Sequence, residues 1–183
     1  VCPWCYIGKK YFDNINDKYK EKIIDIAWQP YFLNPTLNIK GVNRRNYLNN
    51  KFGGEKNANK IYNNLNITGK KINIEFKFNL IKTMPNSLDI MYLITLVKNY
   101  KTASILIDQL FKAFFEKGEN ISNSEILSKY ANNFFEGFDI NLLTNDKGKN
   151  HLLKADKEFK IKGVSGVPVM IINKKHFISG AVE

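Results

Sequence analysis

Apolar residues recur at intervals of three and four over residues 3–19, where Ile7, Tyr11, Phe12, Ile15 and Tyr19 share one side of a helical wheel, so the spacing predicts an opening helix. The period then changes. "KIIDIAWQPYFLNP" carries an isoleucine-rich, tryptophan-bearing run that stops at Pro30 and Pro35, which predicts a buried strand over 23–28 leading into a loop. From 42 to 162 the pattern is mostly helical. "NRRNYLNNKFGG" ends on a glycine pair suited to a helix C-terminus, and "EKNANKIYNNLNITG" predicts a second helix ending near Gly69. "INIEFKFN" alternates Ile72, Ile74, Phe76 and Phe78 with period two, as an extended segment or short strand does.

"PNSLDIMYLITLVKNY" predicts a helix after Pro85 with Asn86 or Ser87 as its N-cap. The most regular apolar stripe lies in "TASILIDQLFKAFFEKGEN", where Ile105, Ile107, Leu110, Phe111, Phe114 and Phe115 form a broad face and Gly118 is the stop. Ser122 and Glu125 have the spacing of a capping box before "ILSKYANNFF". A last helix is expected over about 149–159. The end of the chain reads differently: after Gly163 and Gly166, apolar residues at 169–172, polar ones at 173–175 and a second short run through Ile178 predict a hairpin. Pro168 stands at the mouth of its first strand, where a proline removes no ladder bond. Trp28, Phe76, Phe78, Phe111, Phe114 and Phe115 are expected in the core.

Composition narrows the class. At 183 residues and 44% hydrophobic, the chain has the length and apolar content of one large globular domain or a small domain with an insertion. No stretch approaches the roughly 20 consecutive apolar residues of a membrane span, and the polar run after the first residues comes too early for a signal peptide. The net charge of +11 invites a nucleic-acid reading, yet only Arg44 and Arg45 are arginines. Bidentate phosphate recognition favours arginine, so the lysines are read as a solvated surface.

Two cysteines, Cys2 and Cys5, are the only ones in the chain and sit within four residues. A redox pair, half of a metal site and a structural coincidence all compete for them. A stabilising staple is disfavoured, because closing so short a loop removes little unfolded-chain entropy. A closed zinc site needs four ligands, and His151 and His176 stand apart in different predicted elements. With Cys2 at the N-cap and Pro3 at the first helical position, Cys5 lies one turn on, and side chains three apart on a helix have Cβ atoms roughly 5–6 Å apart, near disulfide reach. Unpaired N–H groups and the positive end of the helix dipole favour a thiolate at Cys2. Cys2 is therefore expected to attack and Cys5 to resolve the mixed disulfide.

With "CPWCYIGK" at one end and "GVSGVPVMIINKKHFISGA" at the other, and "WQPYFLNP", "FKFNLIKTMPNSLD" and "QLFKAFFEKGENIS" in order between them, the chain resembles DsbA-family thiol-disulfide oxidoreductases of the FrnE-like branch. The resemblance implies an α/β, thioredoxin-like fold with a large inserted helical domain: residues 1–41 and 163–183 as the core, 42–162 as the insertion, its last helix packing on the core. It also implies a cis Val167–Pro168 peptide facing the cysteines, with Val167 and Pro168, and with them Pro3 and Trp4, as substrate contacts. The fold so implied has a strand before the first cysteine and a helix after "SGA", so the chain is expected to be truncated at both termini. Where the family usually has a His-Arg pair, this chain has Met91 and Tyr92.

On the same footing, the expected partners are thiol or disulfide substrate proteins, with glutathione or a thioredoxin-type reductant as electron donor or acceptor. No cofactor beyond the redox-active disulfide, no metal, no nucleic acid and no membrane are expected, and a cytoplasmic location. Two rival functions remain. One is a glutathione-dependent kappa-type transferase or 2-hydroxychromene-2-carboxylate isomerase, which shares the fold but typically has serine at the first active-site position. The other is a lysine-rich binding module without catalysis, marked by salt-dependent affinity.

Overall fold

The computed structural model describes residues 1–19, 21–22 and 25–183, and helices account for most of it. Helix α1 (Pro3–Lys18) starts with proline at its first position, where the missing N–H is no loss. Its buried face is narrower than the spacing suggested: Tyr6, Ile7 and Lys9 are buried, whereas Ile15 and Tyr19 at the far end are 42% and 41% exposed. The expected strand at 23–28 falls partly on Ile23 and Ile24, which lie outside the described residues. Residues 25–28 pair with no strand. Ile26 and Trp28 are half-buried between exposed Asp25 and Ala27, so the alternation there marks an extended segment with one side packed. Trp28 is accordingly not in the central core; its ring meets Phe12 edge-on at 6.1 Å.

Asn43 caps α2 (Arg44–Phe52) by accepting from the Asn46 N–H, and Gly53 ends it at φ 69°, a left-handed conformation that suits glycine. Helix α3 (Glu55–Lys71) runs two residues past Gly69. That glycine is a contact rather than a stop, since a Cβ on it would come within 2.8 Å of the Phe76 ring. Asn73 turns the chain at φ 60°, and residues 74–77 after it form no ladder. Ile74, Phe76 and Phe78 are buried, and the Lys77 N–H donates to the Phe115 carbonyl at 2.8 Å. A short pairing not legible in the pattern joins β1 (Val42–Asn43) to β2 (Thr83–Met84), antiparallel, with Val42 opposite Met84.

In α4 (Leu88–Leu96) Ser87 takes the N-cap position without a cap bond, while Asn86 Oδ1 accepts from the Leu88 N–H at 2.8 Å. Helix α5 (Tyr100–Phe115) buries Ala103, Leu106, Ile107, Leu110, Ala113, Phe114 and Phe115, and Ile105 turns outward at 55% exposure. The capping box expected at Ser122 is replaced by Asn123, which accepts from the N–H groups of Glu125 and Ile126 at the start of α6 (Ser124–Ala131). Ser122 instead donates to Asn120 Oδ1 at 2.7 Å. Helix α7 (Asp146–Ile161) begins earlier than expected because Asn145 caps it through the Gly148 N–H.

The chain closes with a hairpin of β3 (Val169–Ile172) and β4 (His176–Ser179), antiparallel, with Val169 opposite Ser179 and Ile172 opposite His176. Asn173 and Lys174, at φ 52° and 59°, turn the chain within the three-residue loop 173–175, where the Lys175 N–H donates to the Ile172 carbonyl at 3.0 Å. One hydrophobic core runs from Tyr6 and Ile7 through Phe32, Leu65, Leu93, Leu106 and Phe114 to Leu152, so α1 packs directly on the helical block. Among the described residues, no helix is long and apolar enough to cross a membrane.

Candidate active site

Cys2 holds the N-cap position of α1 with extended backbone angles, and its carbonyl accepts from the N–H groups of Cys5 at 3.1 Å and Tyr6 at 3.3 Å. Both sulfurs are free thiols and half-buried. Across from them, 165 positions away in the chain, the Cys2 thiol donates to the Val167 carbonyl with Sγ and O 3.8 Å apart. The Val167–Pro168 peptide is cis. Cys2, Cys5, Val167 and Pro168 thus meet at one place, while Trp4 projects from the helix end at 36% exposure beside them.

The two thiols differ sharply in acidity. A hydrogen bond from the Cys5 thiol, opposed by burial and helped by the N–H groups of Cys5 and Trp4, holds Cys2 below the ordinary thiol range, at about 6. The same bond, together with burial and the negative charge of Cys2, pushes Cys5 far up. No N–H at the helix end makes a full cap bond to the Cys2 side chain. The helix therefore contributes through dipoles aimed at the sulfur, and the S–H that faces Val167 in the thiol form is lost on ionisation. Of the two half-buried thiols, Cys2 is thus the one that ionises first and Cys5 the one that keeps its proton.

Several residues that the sequence patterns did not single out hold this end together. Asp156, 4% exposed on α7, accepts from the Phe32 N–H at 2.9 Å and from Lys160 Nζ at 2.6 Å. Lys160 also donates to the Phe32 carbonyl at 2.8 Å and sits over the Tyr31 ring. Tyr31 in turn donates to the Val164 carbonyl at 3.4 Å, at the base of the loop carrying Val167. Below Cys5 on α1, Lys9 is buried against Asp13 at 2.6 Å, with Asp108 at 3.9 Å, and Tyr6 donates to Glu116 at 2.6 Å. A buried lysine on an otherwise apolar helix face is the one sequence-level hint to the latter cluster, legible only once the face is known.

Other residues lie apart. His151 on α7 and His176 on β4 are both exposed. Tyr92 is buried with its ring against Gly148, and Met91 is half-buried at the edge of the core. Two surface grooves, of about 550 and 520 Å³, are lined by residues 34–51 and by residues of α1 and α5 with Trp28; neither is lined by a cysteine.

A family model described as DSBA-like thioredoxin domain matches residues 1–183. An uncharacterized protein, YwbO, of Bacillus subtilis (strain 168) is 24% identical over 136 residues, which are 72% of this chain and 60% of that protein's length. Among solved structures, a probable DsbA oxidoreductase from Streptomyces coelicolor superposes with a TM-score of 0.82 at 19% identity, covering 99% of this chain and 80% of that one. A 2-hydroxychromene-2-carboxylate isomerase superposes with a TM-score of 0.71 at 12% identity, covering 98% and 84%. At such identities these are likenesses of fold.

Proposed function

Because the chain belongs to the DSBA-like thioredoxin domain family, whose fold it shares, we propose that it is a thiol-disulfide oxidoreductase acting through Cys2 and Cys5. The observation that carries this reading is the pairing of an acidic Cys2 thiol with a protonated Cys5 one turn on, beside a backbone carbonyl 3.8 Å from the attacking sulfur. The Cys2 thiolate attacks one sulfur of a substrate disulfide; the other substrate sulfur leaves as a thiolate and takes up a proton. Cys5 then gives up its proton and attacks the Cys2 sulfur of the mixed disulfide, expelling the second substrate thiolate. The substrate gains two electrons, and Cys2 and Cys5 are left joined as a disulfide.

After a substrate disulfide is reduced, the Cys2–Cys5 disulfide is returned to the dithiol by a thiol donor such as glutathione or a thioredoxin-type reductant. The reverse sequence oxidises a substrate dithiol and leaves Cys2 and Cys5 reduced, to be reoxidised by a disulfide acceptor such as oxidised glutathione. An extended substrate segment aligned with the backbone at Val167 and Pro168 would be held by main-chain hydrogen bonds, with Trp4 and Pro3 as its side-chain contacts. Protein substrates are the class this reading favours, because an extended peptide is what a backbone edge such as that at Val167 and Pro168 can align.

A second reading, glutathione-dependent isomerisation, is favoured by the fold shared with the 2-hydroxychromene-2-carboxylate isomerase; the intact cysteine pair favours the first. Insulin reduction with a glutathione or dithiol donor separates them. The wild-type chain is expected to catalyse it and Cys2→Ser to lose it entirely. Isomerisation of a small aromatic substrate that survives Cys5→Ala, with no insulin reduction by the wild type, would reverse the order.

A further inference from the structure

Gly8 lies one turn beyond Cys5 on α1, and its backbone makes no demand for glycine. Its φ is not positive, and in a helix interior alanine is intrinsically preferred. The space around it is another matter. A Cβ on Gly8 would sit 3.0 Å from Pro168 Cγ, 3.4 Å from Pro168 Cβ and 3.6 Å from the Cα of Ala181. Carbon atoms in good contact are about 3.5–4.0 Å apart, so the proline ring occupies the place where any other side chain would begin. The Gly180 N–H donates to the Pro168 carbonyl at 2.9 Å, so the start of β3 and the residues after β4 come down on this one spot together.

We propose that Gly8 is a positioning residue of the dithiol site: its bare Cα is the seat on which the base of the β3–β4 hairpin rests, and that seat sets the separation of Cys2 Sγ from the Val167 carbonyl. The inference rests on reading Cys2 and Cys5 as the redox pair and Val167 as a substrate contact. A methyl group in the seat makes Pro168 give by a few tenths of an ångström, and Val167 is bonded to it. Two consequences follow from that lift. The Cys2 thiol loses the acceptor that stabilises its neutral form, so it becomes more acidic. The backbone edge that aligns the substrate moves away from the attacking sulfur, so substrate binding weakens more than turnover.

The test is Gly8→Ala in the full chain, with Cys2 ionisation followed by thiolate absorbance near 240 nm and KM and kcat measured separately on a disulfide peptide. The Cys2 inflection is expected to fall by a few tenths of a pH unit, and KM to rise several-fold with a smaller change in kcat. A folded Gly8→Ala whose inflection matches the wild type overturns the proposal, whatever happens to the rate. If the wild type exchanges no disulfides, the functional reading fails while the titration still reports on the seat. Should Gly8→Ala not fold, nuclear Overhauser contacts between the Gly8 α protons and the Pro168 ring of the wild type decide: present, they support the seat; absent, they overturn it.

Discussion

The helical block and the closing hairpin hold their apolar residues in opposite ways. Leu65, Leu93, Leu106, Ala113 and Phe114 are completely or almost completely buried, and the Tyr6 ring stacks on Phe111 while Phe76 meets both Tyr6 and Phe115 edge-on. In the hairpin no residue of β3 or β4 is buried, and Ile171, Ile172, Phe177 and Ile178 are 38%, 40%, 57% and 37% exposed. The cysteine side of the site is thus anchored in a dense core through Tyr6 and Ile7. The Val167–Pro168 side rides on an element held by its ladder, by the Pro168 contact with α1 and, at the foot of its loop, by the Tyr31 bond to the Val164 carbonyl. Damage to the block should unfold the molecule, whereas damage near the hairpin should change geometry at the thiols while leaving the fold.

The largest effect that can break this comparison is in the core. Leu106→Ala removes a side chain with no exposed surface and is expected to cost about 2–5 kcal/mol in chemical denaturation. Phe177→Ala, more than half exposed, should stay within about 0.5 kcal/mol. Equal losses would mean that the hairpin is covered in the folded protein.

A middle-sized effect sharpens the link between the two regions. Asp156→Ala strips the Phe32 N–H and Lys160 of their acceptor. About 1–3 kcal/mol of stability should go with it, the lower part of the range applying because Lys160 is partly open to water. The loop at Tyr31 should also show faster amide exchange. An unchanged melting temperature and exchange pattern would remove Asp156 from the account.

The smallest expected change in stability concerns the thiols themselves. Cys5→Ala removes the main cause of the acidity of Cys2, so the 240-nm inflection should move up from about 6 toward the ordinary thiol range. An inflection that stays put would assign the acidity to the helix end instead. For the reduced wild type, a thiol acidified by folding ionises in the native chain before the unfolded one. Its contribution is present above the unfolded value near 8.5 and is lost as pH falls through about 6, so stability should climb with pH across that window. Cys5, pushed upward, stays protonated in the native chain while its unfolded counterpart ionises near 8.5, so it offsets the trend at the top of that window and the climb is read between about pH 6 and 7.5. A flat profile from about pH 6 to 7.5 would contradict the assignment of the low value to Cys2.

How much could be read beforehand divides along the same line. Helices close their hydrogen bonds within a few residues, so apolar spacing, Pro3 and the Gly53–Gly54 pair make them legible, and CxxC with its proline is a local pattern. Which polar residue caps a helix is less so, since Asn123 and Asn145 cap where the sequence leads one to expect Ser122 and a start near 149. The errors lie where a distant partner decides. Ile105 and Leu106 are neighbours in one stripe, and only the surrounding helices determine that Leu106 goes inward. The period-two runs at 25–28 and 72–78 report one-sided packing, which an extended segment can satisfy without a ladder. At the candidate site, motif and resemblance single out Cys2, Cys5, Val167 and Pro168, and the structure brings these four together. Neither singles out Asp156, Lys160 or Tyr31, because their roles exist only once α7 is laid against the loop at 31–32.

The central claim, that Cys2 and Cys5 exchange electrons as a pair, is tested most directly by their reduction potential, obtained by equilibrating the full chain against glutathione buffers and trapping free thiols at each poise. The account predicts a single reversible two-electron transition, with a midpoint between roughly −270 and −120 mV, the span of related dithiols. Two thiols that stay reduced across the whole series in a folded protein would contradict it.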